Sequence, residues 1–121
     1  MLFRSHIFIT KYEIETARQD AKKFLSKPNP PDAVFCGADV VALGVLKAAQ
    51  DLKLRVPEDI AIIGFDNIEM AAYVEMSTVR QPLEGAGREA VNFVTQLIKE
   101  PTRIVPANYS VPFELIRRAT S

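Results

Sequence analysis

The stretch "AVFCGADVVALGVLKAAQDLKLRVPEDIAIIGF", Ala33–Phe65, decides the fold. It opens with four small or apolar residues, Ala33–Cys36, set between Asp32 and Gly37. They show no alternation of polar and apolar, the pattern of a strand covered on both faces. From about Val40 to Leu52 the period changes. Val41, Val45, Ala48, Ala49 and Leu52 recur at helical spacing and make one wide apolar face. Lys53–Asp59 then reads as a turn, and Ile60–Phe65 as a second fully apolar strand. Strand, helix and strand in that order predict an α/β fold with a parallel sheet.

The flanks continue the alternation. "HIFIT", His6–Thr10, predicts a strand, and "EIETARQDAKKFLSK", Glu13–Lys27, a helix with Ala17, Ala21, Phe24 and Leu25 on its inner face. Pro28–Asp32 ends that helix. Asp66–Thr78 reads as a long loop or short helix. The chain then runs extended into a helix over Leu83–Lys99, with Pro82 at its first turn and Ala90, Val91, Val94, Leu97 and Ile98 on one face. "YSVPFELIRR", Tyr109–Arg118, closes with a strand-like segment.

Composition narrows the function. The 121 residues suit one compact domain or a piece of a larger one, with 48% hydrophobic and 25% charged residues. Fifteen basic residues balance fifteen acidic ones, so the basic surplus of a module that grips nucleic acid by itself is missing. The lone Cys36 excludes an internal disulfide, fits a reducing compartment and reads as a small buried hydrophobe. No stretch approaches the ~18 apolar residues of a membrane span. No signal peptide is visible, so the expected location is cytoplasmic.

In parallel sheets, ligands bind beyond the carboxyl ends of the strands. That rule selects Lys11 and Tyr12 after the first strand, Gly37, Ala38 and Asp39 after the second, and Asp66 and Asn67 after the third. An aromatic face, a carboxylate and an Asp-Asn pair on one edge suit a small polyol or heterocycle. Each residue has a plainer reading. Asp39 stands where an N-cap belongs, Tyr12 can be a packed aromatic, and Asp66 and Asn67 suit a turn. Glu58 and Asp59, on the opposite edge, serve the Pro57 turn.

Catalysis finds little support. His6 is the only histidine, no nucleophile–base pair can be assembled from it, and no metal-ligand spacing is present. Gly85 and Gly87 lie in a helical pattern and form neither a dinucleotide nor a phosphate loop. A receiver domain needs an acid pair after its first strand, where this chain reads "TKYE". The expectation is therefore a binding module without enzymatic activity, metal or cofactor.

Three stretches together carry a more specific signal: Pro30–Asn67, Ala71–Pro82 and Gly87–Pro101. "RVPEDIAIIGFDN" followed by "TVRQP" resembles the sensor domain of the LacI/GalR family of bacterial transcription regulators, and the resemblance covers roughly residues 6–118. It implies a periplasmic-binding-protein-like type I fold, of which this chain supplies mostly the C-terminal lobe of a truncated sensor domain. About 82–108 would belong to the other lobe, and Met1–Ser5 would be a non-native or disordered start. Family members sense a sugar or nucleobase-like effector and transmit its binding to a helix-turn-helix head, which is absent here. Operator DNA would be bound only through that head, and the protein would be a homodimer.

The resemblance places Asp39 on the family's effector-contacting acid, with Ala38 replacing the usual Asn. Tyr12 falls on an aromatic that packs on the effector, and Gln81 on a crossover near the cleft. It draws the dimer surface from the helix face of Val41, Val45, Ala48 and Leu52, and from the loop of Tyr73. The competing reading is a periplasmic sugar-binding protein of the ribose type, which shares the fold; the "PEDIAIIGFDN…TVRQP" wording favours the regulator. A sugar-modifying enzyme is the remaining class, with no base–nucleophile pair to support it.

Overall fold

The computed structural model describes residues 6–104 and 110–121. The chain divides into two compact units, one of residues 1–80 with 115–121, the other of residues 81–114.

In the first unit, helix α1 spans Ile14–Leu25, strand β1 Ala33–Phe35, helix α2 Asp39–Asp51, strand β2 Ala61–Phe65, helix α3 Glu69–Tyr73 and strand β3 Ser77–Arg80. Helix α4, Leu83–Lys99, lies in the second unit, and strand β4 covers Glu114–Ile116. The sheet order is β1-β2-β3-β4. β1 and β2 run parallel with Val34 opposite Ile62, and β2 and β3 run parallel with Gly64 opposite Thr78. The predicted parallel α/β sheet is thus present, and the helix predicted over Leu83–Lys99 has those bounds.

Ile62 and Gly64 of β2 are buried, while Ala61, Ile63 and Phe65 alternate with them at half burial. α2 lies on the Ile62 and Gly64 side, since the nearest neighbours of a Cβ at Gly64 would be Asp39 and Ala42. α1 packs on α2, and Ala17, Ala21, Phe24 and Leu25 are buried, as the periodicity predicts. Gly44 permits that packing. A Cβ there would lie 2.6 Å from both Ala17 Cβ and the Ile14 carbonyl oxygen.

Three expectations need correction. Ile7–Thr10 forms no strand. The segment is anchored by a side chain, with the Phe8 ring 4.9 Å from that of Phe24, while Ile9 is exposed. β1 is not covered on both faces: it is the edge strand, and Phe35 is 65% exposed beside Phe65. The α2 face assigned to a dimer lies inside the chain's own core. Val41, Val45 and Ala48 are buried and Leu52 is partly buried, so they offer a partner little surface. α2 is apolar around most of its girth, and α1 and the sheet take that face.

In the second unit no residue of α4 is buried, and Val91, Val94 and Ile98 of its apolar face are exposed. The strand-like segment predicted over Tyr109–Arg118 is realised as β4, with Tyr109 outside the described residues. Met1–Ser5 also lies outside them.

Candidate functional site

The chain turns from β1 into α2 through Cys36, Gly37 and Ala38. Ala38 is extended (φ −156°, ψ 152°) and takes the N-cap position, with no side-chain cap bond. Asp39 is therefore the first residue inside the helix. A carboxylate is favourable there because the helix dipole is positive at that end, yet the side chain does not cap. It turns inward and is fully buried.

Both carboxylate oxygens are engaged from elsewhere in the fold. The Thr78 hydroxyl on β3 donates to Oδ1 at 2.6 Å, and the Ile68 backbone N–H donates to Oδ2 at 2.8 Å. Thr78 Oγ1 also accepts the Asn67 N–H at 3.2 Å. A buried carboxylate is costly unless hydrogen-bonded, and among the described residues no buried side-chain polar atom lacks a partner. Gly64 makes the room, since a Cβ there would overlap Asp39 Oδ1 and sit 3.3 Å from Ala42 Cβ. The charge has a further effect on Cys36. Burial, and then the Asp39 carboxylate, push its thiol up to about 12. Cys36 is accordingly a buried neutral thiol rather than a nucleophile.

The turn after β2 completes this edge. Asp66 and Asn67 both have left-handed backbones, φ 111° and 55°. Asp66 is exposed and Asn67 half-buried, and the Asp66 N–H donates to the Val79 carbonyl at 2.9 Å. The carboxyl ends of β1, β2 and β3 thus meet around one buried acid.

The structure brings Asp39 together with Asn67, Ile68 and Thr78. Tyr12 stands on the surface of the same unit, 72% exposed. Gln81 is half-buried and opens the second unit. Sequence reading missed Thr78 and Gly64. A glycine inside an apolar strand signals close approach of another group, and Gly64 carried that signal. Elsewhere, a cavity of about 380 Å³ is lined by His6, Ile7, Phe8, Phe24, Pro31, Ala33, Val34 and Phe35. Its walls are aromatic and aliphatic and hold no carboxylate, so it does not share the chemistry of the Asp39 edge. Among the described residues no cluster of His, Cys, Asp and Glu could hold a metal ion, and no helix is long and apolar enough to cross a membrane.

Comparison with known proteins agrees with this fold. The family model of the periplasmic binding protein-like domain matches residues 3–121. The HTH-type transcriptional repressor PurR of Shigella dysenteriae serotype 1 is 37% identical over 117 residues, which is 95% of this chain and 34% of the relative. This chain thus spans about a third of the length of the curated relatives it matches. Among solved structures, a LacI family transcriptional regulator from Arthrobacter sp. FB24, in complex with lactose, aligns with a TM-score of 0.78 at 30% identity. It covers 93% of this chain and 43% of that one. A regulatory protein of the LacI family from Chloroflexus aggregans aligns with a TM-score of 0.87 at 28% identity, over 99% of this chain and 44% of that one.

Proposed function

The chain belongs to the periplasmic binding protein-like domain family, its relatives being LacI-type regulators, and from that premise we propose that it is the effector-sensing part of a bacterial transcriptional regulator. The observation that carries this reading is the likeness to a transcriptional repressor along 95% of the chain, joined to a sheet whose carboxyl edge gathers around Asp39.

The effector is a sugar or a nucleobase-like molecule. Tyr12 stacks on its ring from an exposed position. Asp39 accepts a hydroxyl or N–H through lone pairs that its two internal bonds leave free, once the residues sealing it move. Effector binding alters the affinity of a DNA-binding segment outside this chain for operator DNA. The protein works in the cytoplasm and performs no chemistry on its ligand.

The protein is a homodimer. With Val41, Val45 and Ala48 committed to the core, the surface for it is the apolar patch of Ile14, Met70 and Tyr73, 47%, 51% and 77% exposed. Leu43, Leu46 and Val74, partly buried, line one surface with Ile14 and Met70, together with Lys47 and Gln50.

The test is an electrophoretic shift assay with the protein expressed from its gene and DNA from upstream of that gene. It is run alone and with lactose, ribose or purine bases. Operator binding that one of these shifts by roughly five- to 150-fold is the expected result, the usual range of allosteric coupling. A protein with no affinity for that DNA would sink the reading.

A further inference from the structure

The Asp66–Ile68 turn has two consecutive non-glycine residues with positive φ. Asp and Asn tolerate that region better than other side chains, and contacts from around the turn hold it there. Three of those contacts are the bonds to Val79, Thr78 and Asp39 already described. The fourth comes from the far end of the sequence: Arg118 Nη2 donates to Asn67 Oδ1 at 3.0 Å.

Arg118 is itself firmly seated. Its Nη1 donates to the Met76 carbonyl at 2.6 Å, and its backbone N–H donates to Ser77 Oγ at 2.8 Å. The Ser77 hydroxyl donates to the Arg118 carbonyl at 3.2 Å. One planar guanidinium therefore spans from the start of β3 to the turn after β2. Because a guanidinium only donates, it also fixes the Asn67 amide with its oxygen inward.

The placement in the chain gives this contact its meaning. The chain leaves the first unit after Arg80 and re-enters it at Leu115. Thr78, which bonds Asp39, lies just before the exit, and Arg118 lies just after the return. Both converge on Asn67: the Thr78 hydroxyl oxygen accepts the Asn67 backbone N–H, and the Arg118 guanidinium donates to the Asn67 side-chain oxygen.

We propose that Arg118 is a positioning residue for the Asp39 carboxylate. It clamps Asn67, keeps the turn closed, and so holds the Ile68 N–H on Asp39 Oδ2. The position of the returning segment is thereby tied to the acid at the strand-end edge. The meaning of Asp39 as the effector's acid rests on the sensor reading, but the clamp does not.

Amide hydrogen exchange, followed by NMR on the protein as expressed from its gene and without any ligand, tests the clamp. In Arg118→Gln the Asn67 and Ile68 amides should exchange about tenfold faster or more relative to the Cys36 amide, the factor expected for loss of a charged hydrogen bond. The Cys36 N–H bonds the Ile63 carbonyl at 2.8 Å, away from the turn. Arg118→Lys keeps the charge but not the forked donor, and should restore part of that protection. Thr120→Val is the control. It removes the hydroxyl that bonds the Ser77 N–H and the Ile62 carbonyl, so it should weaken the unit without singling out the turn. Unchanged protection at Asn67 and Ile68 in Arg118→Gln, or a loss that merely matches the Thr120→Val pattern, would overturn the proposal. An overturned clamp leaves the sensor reading intact, and absence of operator binding leaves the clamp intact, so the two failures are distinguishable.

Discussion

Gly64 lies directly against the Asp39 carboxylate: a Cβ at position 64 would overlap Oδ1 and stand 3.2 Å from Cγ. β2 gives up a side chain so that the first residue of α2 can turn inward. Gly64→Ala should therefore destabilise the fold by about 1–3 kcal/mol, the usual cost of overpacking, although alanine is better suited than glycine to a regular element. Urea denaturation of the two proteins measures it. A variant as stable as the parent would mean that the carboxylate has room to move.

The two oxygens of Asp39 predict an ordered pair of substitutions. Asp39→Asn keeps an acceptor for the Ile68 N–H, and the Thr78 hydroxyl can rotate to accept from the new amide. The loss should be near 1 kcal/mol. Asp39→Ala leaves the Ile68 N–H and the buried Thr78 hydroxyl without their acceptor, and should cost about 2–4 kcal/mol. Chemical denaturation ranks them. Equal, small losses would show that the buried bonds contribute little and that water replaces them.

How far the sequence foretold this site depends on the range of the interaction. α2 and α4 were legible because a helix repeats its apolar face locally, within a few residues. The parallel sheet followed from two short apolar runs separated by a helix. The role of Asp39 was not legible, because its partner Thr78 stands 39 residues away and no local pattern pairs them. The N-cap expectation was off by one residue: Ala38 is extended enough to cap by backbone alone, which frees the carboxylate to point elsewhere. "HIFIT" misled because alternation reports side-chain polarity and says nothing of whether a neighbouring edge accepts the backbone. The α2 face misled for a related reason. A wide apolar stripe marks burial, and only the packed fold tells whether the cover is α1 or another subunit.

Gly44 sets two principles against each other. On an isolated helix, Gly→Ala gains about 1 kcal/mol. Here the added Cβ would meet Ala17 Cβ and the Ile14 carbonyl oxygen at 2.6 Å and the Arg18 nitrogen at 2.8 Å. Two of those three are backbone atoms, which cannot swing aside, so the helices must separate. Gly44→Ala should lower stability by about 1–3 kcal/mol. A gain in melting temperature instead would show that α1 is free to shift.

Asp59 makes an acid-sensitive contact on the opposite edge. The Arg55 guanidinium donates to its two oxygens at 2.9 and 2.6 Å, and the Arg55 N–H donates to it at 2.7 Å. These bonds, the side-chain ones first, lower its carboxyl from 3.8 to about 2. A carboxyl whose pKa is lower folded than unfolded stabilises above the unfolded value, and that stability fades as pH falls through the folded one. The contribution should be complete above about pH 4 and gone below about pH 2. Asp51 and Glu15 are lowered as well, by Arg18 first in one case and by Gln19 and then Arg18 in the other. The measurement is therefore the difference between the parent and Asp59→Asn across that window. The difference should shrink on acidification; one that stays constant would assign the Asp59 effect to the neutral hydrogen bonds alone.

The proposed dimer surface gives the last prediction. In the proposed dimer, burial of Val41, Val45 and Ala48 leaves Met70 and Tyr73 on α3 to carry the association, with Ile14 beside Met70. Large apolar side chains left about half exposed or more in one patch mark an interaction surface, and aromatic and methionine side chains are favoured at such interfaces. A charge in the centre of that patch opposes its burial. The Met70→Glu and Tyr73→Glu pair, made together in the protein expressed from its gene, should raise the dimer dissociation constant by roughly tenfold to a hundredfold or more, since each ~1.4 kcal/mol is a factor of ten. Sedimentation velocity across a concentration series reads this directly. Neither substituted residue belongs to the cluster around Asp39, so the circular dichroism spectrum should stay that of the parent. A dimer that survives both charges must be built from another face of the protein.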